Sequence, residues 1–205
     1  MRLPRVAIID YGMGNLYSVR NALAAVGVRS NIVGTPNRLR QYDKLILPGV
    51  GAFGDAMKEL KKRRLVGPIS DFVAAGKPLL GICLGMQLLM EKSEESKGVA
   101  GFSIVAGSVR KFSSKLKCPH MGWNEIRQQR RCAPVFGGLR KNAFGYFCHS
   151  YYVVPSDPKT VIGKTDYGIV FASMIKKDNV VGMQFHPEKS QEVGLRLLRN
   201  FIERC

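Results

Sequence analysis

The chain has 205 residues, enough for one α/β domain or at most two very small ones. With 45% hydrophobic and 23% charged residues it is neither a disordered, a collagen-like nor a fibrous chain. Thirty-two Lys and Arg against fifteen Asp and Glu give a formal charge of +17, a balance open to nucleic acid, an anionic membrane or an acidic protein.

The basic residues are dispersed: Lys58, Lys61, Lys62, Arg63 and Arg64, then Lys111, Lys115 and Lys117, then Arg127, Arg130 and Arg131. They are not interleaved with aromatics, and no helix-turn-helix, zinc-finger or RNP pattern accompanies them, so nucleic acid is not the expected partner. The longest nearly uncharged apolar stretch, Pro78 to Met90, has 13 residues and is too short to cross a bilayer. The opening MRLPRVAIIDYG breaks its apolar run at Asp10, unlike a secretory signal, so a cytoplasmic protein without membrane contact is expected. Cys83, Cys118, Cys132, Cys148 and Cys205 are odd in number and never form CxxC, which suits neither a disulfide framework nor a thiolate metal site.

The elements alternate from the start. Val6 to Asp10 reads as a buried parallel strand, followed by the glycine turn Tyr11-Gly12-Met13-Gly14-Asn15 and a helix from Ser18 to Val26 capped by Gly27. Strands are predicted at 28–33 and 43–47, the latter running into Pro48-Gly49-Val50-Gly51. Helical spacing returns in Phe53 to Leu65 and in Pro68 to Ala75, with Gly76 as a stop. A fourth strand, Pro78 to Ile82, meets a sharp turn at Cys83 and a helix from Gly85 to Glu91. Strand-like runs at 102–112, 119–127, 144–154, 161–164, 168–175 and 179–185 then read as added antiparallel hairpins, and an amphipathic helix from Gln191 to Arg204 closes the chain. The expectation is a single α/β domain over 1–205: a doubly wound, mostly parallel sheet flanked by helices, with antiparallel strands added in the second half.

Gly81-Ile82-Cys83-Leu84-Gly85 has the form G-x-C-x-G between a strand and a helix, the sulfur counterpart of a nucleophile elbow. A thiol on such a turn stands above the sheet, the flanking glycines clear side chains from around it, and the helix N-terminus behind it favours the thiolate. The Leu84 N–H can then stabilise an oxyanion. Of the three histidines, His120, His149 and His186, only His186 ends an apolar strand with a carboxylate, Glu188, two residues on. That spacing suits a Cys–His–Glu arrangement, while His149 lies inside a predicted strand. The pairs Cys118/His120 and Cys148/His149 lack further ligands at metal spacing.

GICLGMQ together with QFHPEKS resembles the class I (triad) glutamine amidotransferases. The finer set IIDYGMGNL, LPGVGAFGDAM, GICLGMQLL, SEES, PHMGWN, FGYFCHSYY and QFHPEKS is similar to the glutaminase subunits of imidazole glycerol phosphate synthase, from Ile8 to about Phe201. The resemblance implies that Cys83 attacks the carboxamide of L-glutamine, that His186 moves the protons and that Glu188 orients it. It implies an oxyanion hole of Leu84 and Val50, the latter completed by a peptide flip in PGVG. It also implies glutamine contacts at Gly51, Gln87, Glu95, Ser150 and Tyr151, and a partner face with Asn15, His120, Trp123, Tyr146 and Lys189. The implied partner is a cyclase subunit of (β/α)₈ fold in a 1:1 heterodimer, and no nucleotide, flavin or metal cofactor is required. Two alternatives stand beside it: a related glutaminase serving a synthase of an amidino sugar, and a basic binding protein on an inactive amidotransferase fold. The +17 charge, Cys148 and the run Arg127 to Arg131 depart from the family pattern.

Overall fold

The computed structural model describes residues 4–129 and 133–205. The predicted basic positions Arg130 and Arg131, with Cys132, fall outside these residues.

The first half builds β1 (Val6–Ile9), α1 (Leu16–Ala25), β2 (Ser30–Val33), α2 (Pro36–Leu39), β3 (Lys44–Gly49), α3 (Phe53–Lys62), α4 (Val66–Ala74), β4 (Leu79–Cys83) and α5 (Leu84–Leu88). The second half adds β5 (Lys92–Ser93), β6 (Gly107–Lys111), β7 (His120–Gln128), β8 (Ala143–His149), β9 (Tyr151–Pro155), β10 (Val161–Asp166), β11 (Val170–Lys177), β12 (Val180–Met183) and α6 (Gln191–Arg204). One sheet runs β2-β1-β3-β4-β12-β11-β10-β7-β8, with β9, β6 and β5 branching from β11. The strands from β2 to β12 are parallel; β11, β10, β7 and β8 continue the sheet antiparallel. No helix among the described residues is long and apolar enough to cross a membrane.

Alternation of side chains along each parallel strand gives the sheet two apolar faces. Ala7, Ile9, Leu45, Leu47 and Leu79 face Phe53, Met57 and Leu60 of α3 and Ile69 and Phe72 of α4. Ile8, Ile46, Leu80, Ile82 and Val181 face Val19 and Leu23 of α1 and Leu197, Leu198 and Phe201 of α6. Helices of ten residues, such as α1 and α3, do not persist alone in water, so this burial is what holds them. In α3 the buried positions Phe53, Ala56, Met57 and Leu60 follow the i, i+3, i+4, i+7 spacing of a single face. Covering both faces requires the chain to reverse its winding between β1 and β3. The cavity of the site lies over the C-terminal ends of the neighbouring strands β3, β4 and β12.

Several predicted boundaries move, three of them around the site. The run 102–112 is a strand only over β6, because Phe102 and Val105 donate their N–H groups to Leu88 and Leu89 carbonyls. Those donations also end α5 at Leu88, ahead of the expected Glu91. The run 144–154 divides at Ser150: β8 pairs with β7, whereas β9 pairs with β6 and β11. That corner brings Ser150 and Tyr151 to the cavity.

Candidate active site

The three neighbouring parallel strands β3, β4 and β12 end side by side, in the register Gly49↔Cys83 and Met183↔Ile82. β4 ends in Cys83, whose φ of 54° and ψ of −112° turn the chain straight into α5. This conformation costs a residue with a side chain ~1–3 kcal/mol and persists only where the surroundings impose it. Here the glycines impose it. A Cβ on Gly85 would sit 1.8 Å from the Leu47 carbonyl oxygen, and one on Gly81 would sit 2.7 Å from that of Gly85. Their task is thus to let α5 press onto β3 and β4, which corrects the expectation that they clear side chains from around the sulfur.

His186 follows β12, and its Nδ1 lies 2.8 Å from Glu188 Oε1 with both side chains almost fully buried. Cys83 also borders the imidazole and shares the cavity with it. Burial pulls the imidazole pKa down, but the hydrogen bonds and negative charges of Cys83 and Glu188 outweigh it and push the value up to about 10. Cys83, His186 and Glu188 thus lie together as a thiol–imidazole–carboxylate array.

A cavity of about 310 Å³ lies over the sulfur. Its lining includes Val50, Gly51, Leu84, Gln87, Glu95, Ser150, Tyr151 and Lys189, so every predicted substrate and oxyanion residue borders the same space as Cys83 and His186. Val50 is exposed, and Gly51 adopts φ +93°, where a Cβ would also meet the Met13 methyl at 2.9 Å. Gln87 donates through Nε2 to the Tyr151 carbonyl at 3.0 Å. Glu95 accepts from Phe53 N–H at 2.7 Å and so also caps α3. The buried Tyr11 hydroxyl donates to the Pro48 carbonyl at 2.9 Å and anchors the base of the PGVG loop.

The predicted partner residues separate into two groups. Asn15 is exposed and caps α1 by accepting from Ser18 N–H. Trp123 is 48% exposed on β7 and meets Tyr146 of β8 edge to face at 6.1 Å; the Lys189 ammonium lies 5.8 Å over the Tyr146 ring. With exposed Met121 and Phe144 they form an apolar strip beside the cavity mouth.

His120 belongs elsewhere: its side chain is buried, stacked between Phe147 and Tyr167, which corrects its expected place on the partner face. Its Nδ1 lies 3.0 Å from His149 Nε2, and His149 Nδ1 donates to the Tyr151 carbonyl at 2.8 Å. A carbonyl can only accept, so both tautomers follow: His149 carries its proton on Nδ1 and His120 on Nδ1. With both nitrogens engaged, His149 cannot serve as a base. Burial lowers His149 to about 3 and His120 to about 4, leaving the pair neutral.

Sequence reasoning missed Gln184. It is fully buried, accepts from Gln87 Nε2 at 3.2 Å and points its own Nε2 at Cys83 Sγ, 3.9 Å away. Its place two residues before His186 in a buried strand end was the available signal.

Residues 7–205 match the family described as glutamine amidotransferase class-I. The chain is 49% identical to imidazole glycerol phosphate synthase subunit HisH of Sulfurimonas denitrificans over 203 residues, 97% of each chain. It is 51% identical to the same-named subunit of Aquifex aeolicus over 198 residues, 96% of this chain and 95% of that one. Among solved structures, one described as a glutamine amidotransferase superposes with a TM-score of 0.78 at 18% identity, covering 97% of both chains. A chain of the PurLQS structure from Thermotoga maritima gives 0.75 at 21% identity, covering 98% of both. Two such folds and a family match over nearly the whole sequence agree with the array built on Cys83: the chain belongs to the class-I glutamine amidotransferases.

Proposed function

We propose that this chain is the glutaminase subunit of an imidazole glycerol phosphate synthase, cleaving L-glutamine and passing ammonia to a cyclase subunit in histidine biosynthesis. The observation that carries the reading is the convergence of Cys83, His186, Gln87, Glu95, Ser150 and Tyr151 on a single cavity of about 310 Å³.

In this reading His186 Nε2 already holds the proton of Cys83, and the Cys83 thiolate attacks the δ-carboxamide carbon of glutamine. The Leu84 N–H, on the first turn of α5 where helix donors lack partners, faces the developing oxyanion. The second donor is the Val50 peptide, which the freedom of Gly49 and Gly51 allows to turn inward when a partner docks. His186 returns its proton to the leaving nitrogen, ammonia departs, and a γ-glutamyl thioester remains on Cys83. Water activated by the neutral imidazole releases glutamate. Glu188 holds the ring and balances its charge. Glu95, with one oxygen spent on α3, offers the other to the α-ammonium of glutamine; Gly51, Gln87, Ser150 and Tyr151 complete the seat.

Free ammonia in water is protonated and lost, so its user must cover the cavity mouth. The exposed strip of Met121, Trp123 and Phe144, with Tyr146 and Lys189 beside it, supports that face as the cyclase contact, to which we also assign the exposed Asn15. The reading includes one domain over 1–205, supported by the continuous sheet, and a cytoplasmic place of action.

The test is glutamate release from L-glutamine by the purified chain, alone and with a histidine-pathway cyclase and its ribonucleotide ligand. Stimulation of at least about 100-fold by the liganded cyclase, abolished in Cys83→Ala, is the expected result. Hydrolysis indifferent to the cyclase would remove that partner and leave a glutaminase.

A further inference from the structure

We infer that Gln184 is a further catalytic residue, one whose amide N–H donates to the Cys83 sulfur and holds it as the attacking anion. The inference rests on the reading of Cys83 as the nucleophile.

The orientation of the Gln184 amide follows from a network with a fixed end. The Tyr151 carbonyl can only accept, so the Gln87 group facing it at 3.0 Å is Nε2. The second hydrogen of that Nε2 goes to Gln184 at 3.2 Å, which must present its oxygen. The Gln184 amine is thereby turned the other way, toward Cys83 Sγ at 3.9 Å. Gln184 has no solvent exposure, and its backbone is fixed by donation to the Ser173 carbonyl, so the amide cannot turn to water for another partner. A buried primary amide aimed at sulfur is a poor partner for a neutral thiol and a good one for a thiolate, because donors gain most from a charged acceptor.

The chemistry assigns the donor a moment of action. With the Sγ proton held on His186, the sulfur carries negative charge in a site where water is scarce. His186 then stands on one side of the sulfur as imidazolium and Gln184 on another as a neutral donor. The imidazolium gives its proton away to the leaving ammonia, whereas the amide stays in place through the whole cycle. Gln184 also touches Gln87, which borders the substrate cavity, so the seat of glutamine and the state of the sulfur share one neighbour.

The titratable groups around Cys83 are His186 beside it, Tyr11, and Cys148, His149, Glu95, Tyr151 and Lys189 lining the cavity, with the Cys148 carbonyl also 3.9 Å from Cys83 Sγ. None of them changes in Gln184→Met, which keeps the length and apolar bulk and removes the donor. Alkylation of Cys83 by iodoacetamide, followed on its own peptide by mass spectrometry from pH 5 to 10, reads the thiolate directly. The expected result is a midpoint about 1 pH unit higher in Gln184→Met, the size of a charge-assisted hydrogen bond to sulfur. In Gln184→Glu, where an acceptor replaces the donor, the midpoint should rise further. Partner-stimulated kcat should fall about tenfold for a loss of that size, with the glutamine KM changed less than about threefold.

Unchanged midpoints in both variants, with native far-UV and near-UV circular dichroism, would overturn the inference even if kcat fell. If Gln184→Met does not fold, the Gln184→Glu midpoint decides alone. Failure of the glutaminase reading would look different: the wild-type chain would release no glutamate with any partner, whatever the alkylation midpoints.

Discussion

At the scale of single residues, the site is governed by how charge is handled out of water. The Glu188 side chain is 1% exposed, and its Oε2 has no hydrogen-bond partner among the described residues. Such a carboxylate is tolerable only because an imidazolium lies against its other oxygen. The raised value of about 10 for His186 has a stability consequence of definite sign. A folded pKa above the unfolded 6.5 means stabilisation that is complete below pH 6.5 and lost as pH rises through about 10. Replacing Glu188 by Gln removes part of that support. Unfolding free energies from urea titrations between pH 6.5 and 10 should therefore fall less steeply in Glu188→Gln than in the wild type. Its kcat should drop ~10- to 1000-fold, since the ring loses both its orientation and its counter-charge. Equal pH slopes in the two proteins would mean that the carboxylate does not hold the imidazole charged.

Among the elements, the β7–β8 ladder has two unlike faces. In the register His120↔His149, Gly122↔Phe147 and Asn124↔Gly145, one face turns to the aromatic cluster of Phe112, Phe147, Tyr167 and Phe171. The other, through Met121↔Cys148 and Trp123↔Tyr146, turns outward. On the inner face the histidine pair is neutral, and its linkage has the opposite sign to that of His186. Values lowered to about 4 and about 3 give stability that is present above pH 6.5 and lost as pH falls toward them. His120→Gln keeps an amide donor for His149 and removes one titrating group. Between pH 7.5 and 5 the wild type should lose about 2 kcal/mol more stability than this variant, measured by urea unfolding at the two pH values. If both lose the same amount, His120 is protonated in the folded chain and the assigned tautomer is wrong.

For the molecule as a whole, the parallel half of the sheet presents the chemistry and the antiparallel half presents the surface around it. The strip of Met121, Trp123 and Phe144 lies beside the cavity, and its large aromatic resembles the anchors that dominate protein interfaces. Trp123→Ala should weaken cyclase binding about 30-fold or more in titration calorimetry, a hot-spot loss of ~2 kcal/mol or above. Affinity within about twofold of wild type would place the cyclase on another face. The basic surface contributes differently. Lys58, Lys61 and Lys62 of α3 are exposed, and charges of this kind act through water over a Debye length of ~8 Å at physiological salt.

Most of the order of strands and helices, with the parallel half of the sheet, was legible in the sequence, α2 and β5 excepted, and so was the candidate pairing of Cys83 with His186 and Glu188. These were legible because apolar periodicity, glycine turns and a histidine two residues from a carboxylate are local patterns. α6 fell on Gln191–Arg204 as predicted because its amphipathic spacing is unbroken. The fold in three dimensions was needed to show that the glycines of the elbow serve the approach of α5 to Leu47, that the run through Ser150 divides, and that His120 is buried. It alone brought Gln184 against the sulfur, since Cys83 and Gln184 lie 101 positions apart in sequence. Each of these depends on what a residue meets across the sheet, where local periodicity carries no information.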